Sequence, residues 1–153
     1  MTAGSAPAGF VTARQMEILR LRRDGLSRQE IADRLGTSRQ NVAVLEARAR
    51  QNISRAEATM AALISSGLAL RVAIPAETHM LEAAKAVLDA ADRARIHMKD
   101  DVVSMLALLR AGVRGYVEDG RLNREVHVTV FPSGEILVGA SGQGQGDQYR
   151  DHD

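Results

Sequence analysis

The 153-residue chain can hold one good core or two small ones. It has no Cys or Trp and only two Phe and two Tyr, which excludes a disulfide frame, a thiolate metal site and a cysteine nucleophile, and argues against a surface that stacks unpaired bases. The net charge of +1 is unevenly placed: residues 1–60 carry ten Arg against six carboxylates, and residues 61–153 carry ten Lys or Arg against thirteen, so the basic half has the sign that phosphate binding needs.

The apolar runs are too short to cross a bilayer and no signal peptide is visible, so a cytoplasmic protein without membrane contact is expected. Residues 1–9 are Ala, Gly, Ser and Pro without a period, and are expected to be disordered. Thr12 followed by Gln15 reads as a capping box opening a helix from Ala13 to Arg23, with Met16, Leu19 and Ile18 inward. Asp24 and Gly25 end it.

The next stretch, Arg28 to Ala47, carries the main signal. Ile31 and Leu35 put apolar groups on one helix face, and Ala32 between them lets a second helix cross closely. Gly36 can take the positive φ of a helix terminator. Val42 and Leu45 form the inner face of a second helix. Ser27 with Glu30, and Thr37 with Gln40, read as further capping boxes. This is the pattern of a helix-turn-helix, with the helix Thr12 to Arg23 bracing the pair.

Ser38, Arg39, Gln40, Asn41, Ala43 and Val44 are left facing outward. Those types suit the major groove: Arg pairs with guanine, Gln or Asn with adenine, and apolar groups meet the thymine methyl. Arg28, Gln29, Thr37, Val44 and Arg48 complete the expected DNA-binding set. The bland alternative is a helical hairpin that only packs.

No Pro or Gly interrupts Ser38 to Ser65, and Val42, Leu45, Ala49, Ile53, Ala56, Met60 and Leu63 recur in steps of three and four. One continuous stripe over an extended third helix is expected, roughly 40 Å long, with a bend at Asn52 to Ser54 or a new helix from Ser54 as the alternative. The stripe suits packing on a C-terminal domain or on a second copy. Arg48, Arg50 and Arg55 lie off it, as phosphate contacts or as solvated residues.

Gly67 closes the helix, and a domain boundary is expected at Ser65 to Ala69. Leu70, Val72 and Ile74 then alternate as a strand. A helix from Thr78 presents Leu81, Ala84, Leu88 and Ala91. Ala94, Ile96 and Met98 alternate with Arg93, Arg95, His97 and Lys99 as a half-buried strand with a basic outer face. Asp100 caps a helix from Asp101 to Ala111. Arg124 to Phe131 and Glu135 to Ala140 form a hairpin. The expected class is an all-α three-helix helix-turn-helix with an extended third helix over residues 10–66, then a small α+β domain over residues 69–140 for dimerisation or regulation. Residues 141–153 are expected to be a flexible tail.

The stretch VTARQMEILRLRRDGLSRQEIADRLGTSRQNVAVLEARA resembles the reading heads of sigma factor region 4 and of LuxR-type regulators. With its continuation ARARQNISRAEATMAAL it resembles more narrowly the Tfx family of archaeal DNA-binding transcriptional regulators, closely over Phe10 to Leu63 and less closely beyond. The resemblance implies an N-terminal helix-turn-helix plus a small C-terminal domain acting at promoters, with Ser38, Arg39, Gln40 and Asn41 as the groove-reading residues.

No cofactor is expected. His79 with Met80, His97 with Met98, and His127 match no metal-ligand spacing. Asp100 with Asp101, and Glu118 with Asp119, fall at caps and turns, and no nucleophile elbow or phosphate loop is present, so an enzyme is not expected. Gly139, Gly142, Gly144 and Gly146 end a strand with no helix after them, unlike a nucleotide loop. The leading reading is a sequence-specific regulator of double-stranded DNA, acting as a homodimer. The competing readings are a helix-turn-helix scaffold that binds another protein, and a one-component regulator sensing a small-molecule effector through its C-terminal domain.

Overall fold

The computed structural model of the protein describes residues 9–140. The expected loose ends, 1–9 and 141–153, lie outside them apart from Gly9, as do Gly142, Gly144 and Gly146. The described residues fall into two compact units, one up to Thr59 and one from Met60. The fold is a helix-turn-helix unit with a long third helix, followed by a small α+β unit.

The first unit is built from α1 (Ala13–Arg23), α2 (Arg28–Leu35) and the start of α3 (Arg39–Ser65). Two of the three expected boxes form, at the starts of α1 and α2. Thr12 accepts from the Gln15 N–H while the Gln15 side chain accepts from the Thr12 N–H, and Ser27 and Glu30 do the same. Each box satisfies two donors that a helix start otherwise leaves unpaired. Gly36 takes φ 65° and ψ 40°, and its N–H and that of Thr37 both return to the Ala32 carbonyl. The chain thus leaves α2 without a clash and enters α3 within three residues.

Ile18, Ile31, Ala32 and Val42 form the core of this unit, with Leu21, Leu26, Leu35 and Leu45 packed against them. Ile18, Ile31 and Val42 are fully buried, each worth about 1.5–3 kcal/mol of apolar transfer. In α1 the inward residues are Gln15 and Ile18, whereas Met16 and Leu19 are only half-buried. The third helix runs unbroken through Asn52 to Ser54, which removes the alternative of a new helix from Ser54. Its stripe is buried only as far as Ala49; Ile53 is half-buried and Ala56 is exposed.

In the second unit, β1 (Leu70–Ile74), β4 (Val126–Val130) and β5 (Ile136–Ala140) form an antiparallel sheet in the order β1-β4-β5. The expected hairpin is β4–β5, in register from Val126 opposite Ala140 to Val130 opposite Ile136. Val126, Val128 and Val130 of the central strand are buried. They meet α4 (Met80–Arg93) and α5 (Val102–Gly112) in one core with Met80, Val87, Met105 and Leu109.

Three expectations need correction. The inner face of α4 is Met80, Ala83, Ala84, Val87, Ala90 and Ala91, while Leu81 is exposed and Leu88 half-buried. His79 rather than Thr78 is the N-cap, and the buried arc is centred about one residue earlier than the leucines suggest. The cap of α5 is Asp101, not Asp100: its carboxylate accepts from the Ser104 N–H at 2.8 Å.

The third correction concerns the segment after α4. Ala94 to Met98 is not a strand. Arg95 is left-handed, with φ 57°, and the Ile96 N–H returns to the Ala91 carbonyl, so the segment finds no strand partner. Its alternation arises because Ile96 and Met98 pack on the core while their neighbours stay outside.

Two short strands, β2 (Val117–Glu118) and β3 (Arg121–Leu122), were not expected. Asp119 and Gly120 between them both take positive φ, which is the turn that favours an Asp-Gly hairpin. Buried Leu122 joins the core, and its N–H donates to the Thr78 carbonyl beside the start of α4.

The turn between β4 and β5 carries the tightest constraint. Gly134 is buried with φ 84°, and a Cβ there would collide with the His97 carbonyl oxygen. A Gly134→Ala variant is expected to lose at least ~2 kcal/mol, because left-handed backbone and backbone overlap add. Gly139→Ala, with open space at its Cβ, is expected to stay within about 0.5 kcal/mol of the parent. Urea unfolding of both variants checks this.

Candidate nucleic-acid interface

The outer face of the third helix follows from what its inner face holds. Val42, Glu46 and Ala49 are buried on α3. At about 100° per residue, Gln40, Val44, Ala47 and Arg48 lie on the opposite side. All four are exposed, Val44 by 41 %. Ala43, expected outside, is half-buried. Ala47 was not expected in the set, and it is exposed on the same face as Val44, where a methyl group can meet another methyl.

The cap of this helix is Ser38, one residue later than the expected Thr37–Gln40 box. Ser38 Oγ accepts from the Asn41 N–H at 3.1 Å, and its carbonyl accepts from the Val42 N–H. Thr37 has another role: its Oγ1 accepts from Asn41 Nδ2 at 2.8 Å. The Asn41 amide is therefore held over the helix start. Arg39 and Gln40 stand beside it, exposed and without a side-chain hydrogen bond to another described residue. The first turn of α3 thus offers one guanidinium, two amides and the free N–H groups of a helix N-terminus.

The rest of the expected set divides. Gln29 is exposed and donates to Asp33 Oδ1 at 2.8 Å. Arg48 is exposed on the outer face of α3. Arg28 is not a free surface cation: its Nε donates to Glu46 Oε2 at 2.8 Å. Arg22 Nε donates to Glu46 Oε1 at 3.2 Å, and Arg50 Nη2 donates to the same oxygen at 2.7 Å. Glu46 is thus a buried carboxylate, 1 % exposed, that receives one arginine from the end of α1, one from the start of α2 and one from α3.

The sequence signal for this cluster is the place of Glu46 in the helix. Glu46 lies four residues after Val42 and three before Ala49, on the apolar stripe itself. Burial opposes ionisation of Glu46. Hydrogen bonds from Arg28 and Arg22 and the charges of Arg50 and Arg22 outweigh it, and hold the pKa below the ordinary glutamate value. Two more bonds brace the same unit. Arg22 Nη1 donates to the Leu26 carbonyl at 3.0 Å, and Arg14 Nη2 donates to the Leu35 carbonyl at 2.8 Å.

The His-Met pairs are split by the fold. Met80 and Met98 pack into the core, while His97 is exposed and His79 caps α4 through Nδ1. His127 Nε2 lies 3.0 Å from Glu125. Among the described residues no group of three or more His, Asp or Glu could hold a metal ion, and no helix is long and apolar enough to cross a membrane.

Comparison with known proteins matches both units. The family model for region 4 of sigma-70 covers residues 11–53, and that for the C-terminal part of the DNA-binding protein Tfx covers residues 56–138. A curated protein of Methanocaldococcus jannaschii, provisionally named a transcriptional regulatory protein, is 30 % identical over 132 residues. The match spans 86 % of this chain and 96 % of that relative.

The Glu46 cluster makes a stability prediction with a sign. Because the folded-state pKa is lowered, the unfolded chain binds the proton more readily as the pH falls through the ordinary value of 4.5. The contribution is complete above that value and is lost below it. Glu46→Gln is expected to lose stability near neutral pH, toward the lower end of the ~3–5 kcal/mol for breaking a buried pair, since its arginines can still reach water. Between about pH 5.5 and 3.5 the variant should weaken less steeply than the parent. Urea unfolding across that range measures both.

Proposed function

Because the chain belongs to the Tfx family of DNA-binding transcriptional regulators, we propose that it is a sequence-specific regulator whose third helix reads the major groove of double-stranded DNA. One observation carries this reading. The start of α3 leaves Arg39 and Gln40 exposed and holds Asn41 in place, on a helix whose locked stripe of Val42, Glu46 and Ala49 begins one turn after Arg39 and faces away from Gln40. A groove-reading helix needs that combination of outward polar groups and a fixed back.

Arg39, Gln40 and Asn41 then face base edges, with Val44 and Ala47 against thymine methyls. Ser38 and Thr37 set the helix start, Gln29 stands at the second exposed helix start, and Arg48 reaches a phosphate. Arg28 acts at one remove, by orienting α2 against Glu46. The protein works as a dimer in the cytoplasm: two reading heads one helical turn apart, about 34 Å, fit successive major grooves. The M. jannaschii relative bears a regulator's name, which supports the same reading.

The test is fluorescence anisotropy with DNA from upstream of the protein's own gene and with a scrambled duplex, over a salt series. Tighter binding to the native duplex with a steep salt slope is expected; no binding to either at low salt would sink the proposal. Arg39→Ala should lose roughly 1–3 kcal/mol of discrimination at one base pair. An equal loss on every duplex would make Arg39 a phosphate contact instead. Sedimentation equilibrium, with and without the duplex, reads the dimer.

A further inference from the structure

Between α1 and α3 the first unit has a groove that the proposed reading face does not use. It is lined by Met16, Leu19 and Ile53, and by Arg20, Arg23 and Arg50. The three apolar residues are half-buried. Its volume is about 500 Å³, enough for a ring and its neighbouring side chains. The groove begins where the buried stripe of α3 stops: Ala49 is buried, whereas Ile53, one turn on, is only half-buried.

The charge around this groove is positive on balance. Glu46 brings one negative charge to Arg22, Arg28 and Arg50. Arg23 lies 3.6 Å from Asp24, both exposed, and Glu57 also lines the groove. Glu17 is matched by Arg14 at 3.2 Å. With Arg20 included, five arginines stand against Asp24, Glu46 and Glu57, an excess of two positive charges among the described residues.

One stretch of the chain has the complementary composition. After Ala140 comes SGQGQG, residues 141–146, with no charge and no large apolar side chain. Residues 147–153, DQYRDHD, then set Tyr149 among Asp147, Asp151 and Asp153, with Arg150 as the one arginine. Three carboxylates against one arginine leave two negative charges, equal in size and opposite in sign to the excess at the groove. A phenol suits a half-covered apolar lining, because its ring is apolar and its hydroxyl can stay in water. Residues 1–8 offer neither a charged side chain nor an aromatic ring. The chain from Ala140 to Tyr149 extends up to about 30 Å, so the ring can stand well away from the sheet it follows.

We infer that the groove between α1 and α3 is a docking site for residues 147–153 of the same chain, with Tyr149 against Met16, Leu19 and Ile53 and the aspartates against the arginines. The inference rests on the first unit and the composition of the tail, and it holds whether or not the reading head binds DNA. Exposed ion pairs contribute little each, so the ring supplies most of the affinity and the charges set its direction. A segment carried on the same chain has a high effective concentration, which lets a weak contact persist. Docking ties α1 to α3 beside Arg50, whose Nη2 donates to Glu46, and so braces the angle at which α3 leaves the unit.

The chain has no Trp, so Tyr149→Trp in the full chain adds a single fluorescent reporter. Its emission is expected to lie to the blue of tryptophan in water, with acrylamide quenching several-fold weaker, and to stay so on dilution. Arg20→Glu with Arg23→Glu reverses two exposed charges and should return emission and quenching to those of a solvated indole. Adding Asp151→Arg and Asp153→Arg exchanges the signs on both sides, and should bring the protected emission back. A misfolded first unit could not give that recovery.

Solvent-like emission in the chain with Tyr149→Trp alone overturns the inference and leaves the groove to a different molecule. Protection that survives R20E with R23E overturns it by seating the tail elsewhere. Protection that fades on dilution overturns it as an intramolecular contact and gives the groove to the tail of a second copy. A chain reversed on both sides that stays solvent-like overturns the pairing of aspartates with arginines.

Discussion

One buried carboxylate holds the reading head together. Glu46 is the meeting point of Arg22, Arg28 and Arg50, which come from the end of one helix, the start of the next and the body of the third. Taking a carboxylate out of water costs several kcal/mol, and the hydrogen bonds and charges of the arginines do little more than outweigh that cost. Net stability therefore comes from Ile18, Ile31 and Val42, whose burial needs no compensation. What the cluster contributes is direction. An apolar core tolerates small rotations of one helix on another, whereas a carboxylate with three hydrogen-bonded arginines does not. The angle at which α3 leaves the unit, and so which of its residues face outward, depends on that point.

The second unit obeys a different constraint. Its sheet has three strands, and the central one, β4, buries Val126, Val128 and Val130 against two helices. So small a sheet cannot supply every contact from regular elements. The connections are drawn into the structure instead. The Asp119–Gly120 turn sets β3 where Leu122 reaches the core and its N–H meets the Thr78 carbonyl. Gly134 brings the β4–β5 turn onto the backbone of His97. Left-handed residues at Glu77, Arg95 and Asp119 are the local cost of these close approaches.

On the proposed reading, the first unit carries the base preference of a DNA-binding regulator. Specificity needs a few side chains held to a fraction of an ångström, and the reading head meets this with caps, a short turn and a buried charge cluster. Affinity and salt response need cations in number rather than in exact pose. The chain carries only two lysines among twenty basic residues. Arginine predominates, and its planar fork suits both demands: it fixes Glu46 inside the fold and fits guanine or phosphate outside it.

How much of this could be read in advance depends on the range of the interaction. The caps at Thr12 and Ser27, the Gly36 terminator, the unbroken α3 and the β4–β5 hairpin are local. Each is specified within three or four residues or by one period, and the chain alone determined them. The class of the protein followed from the same local pattern. Three features were decided by tertiary structure.

Arg28 looked like a surface cation because nothing within its own helix shows that Glu46, eighteen residues on, turns toward it. Residues 94–98 read as a strand because their apolar residues alternate with period two, as in a paired strand. A left-handed Arg95 and a core that accepts Ile96 and Met98 produce the same pattern with no partner strand. In α4, Leu81 gave way to Met80 and Val87 because the position of the sheet, and not side-chain hydrophobicity, selects which arc of a helix is covered. The chain wrote its elements locally; which of its charges and apolar faces meet is settled only when distant segments compete for one another.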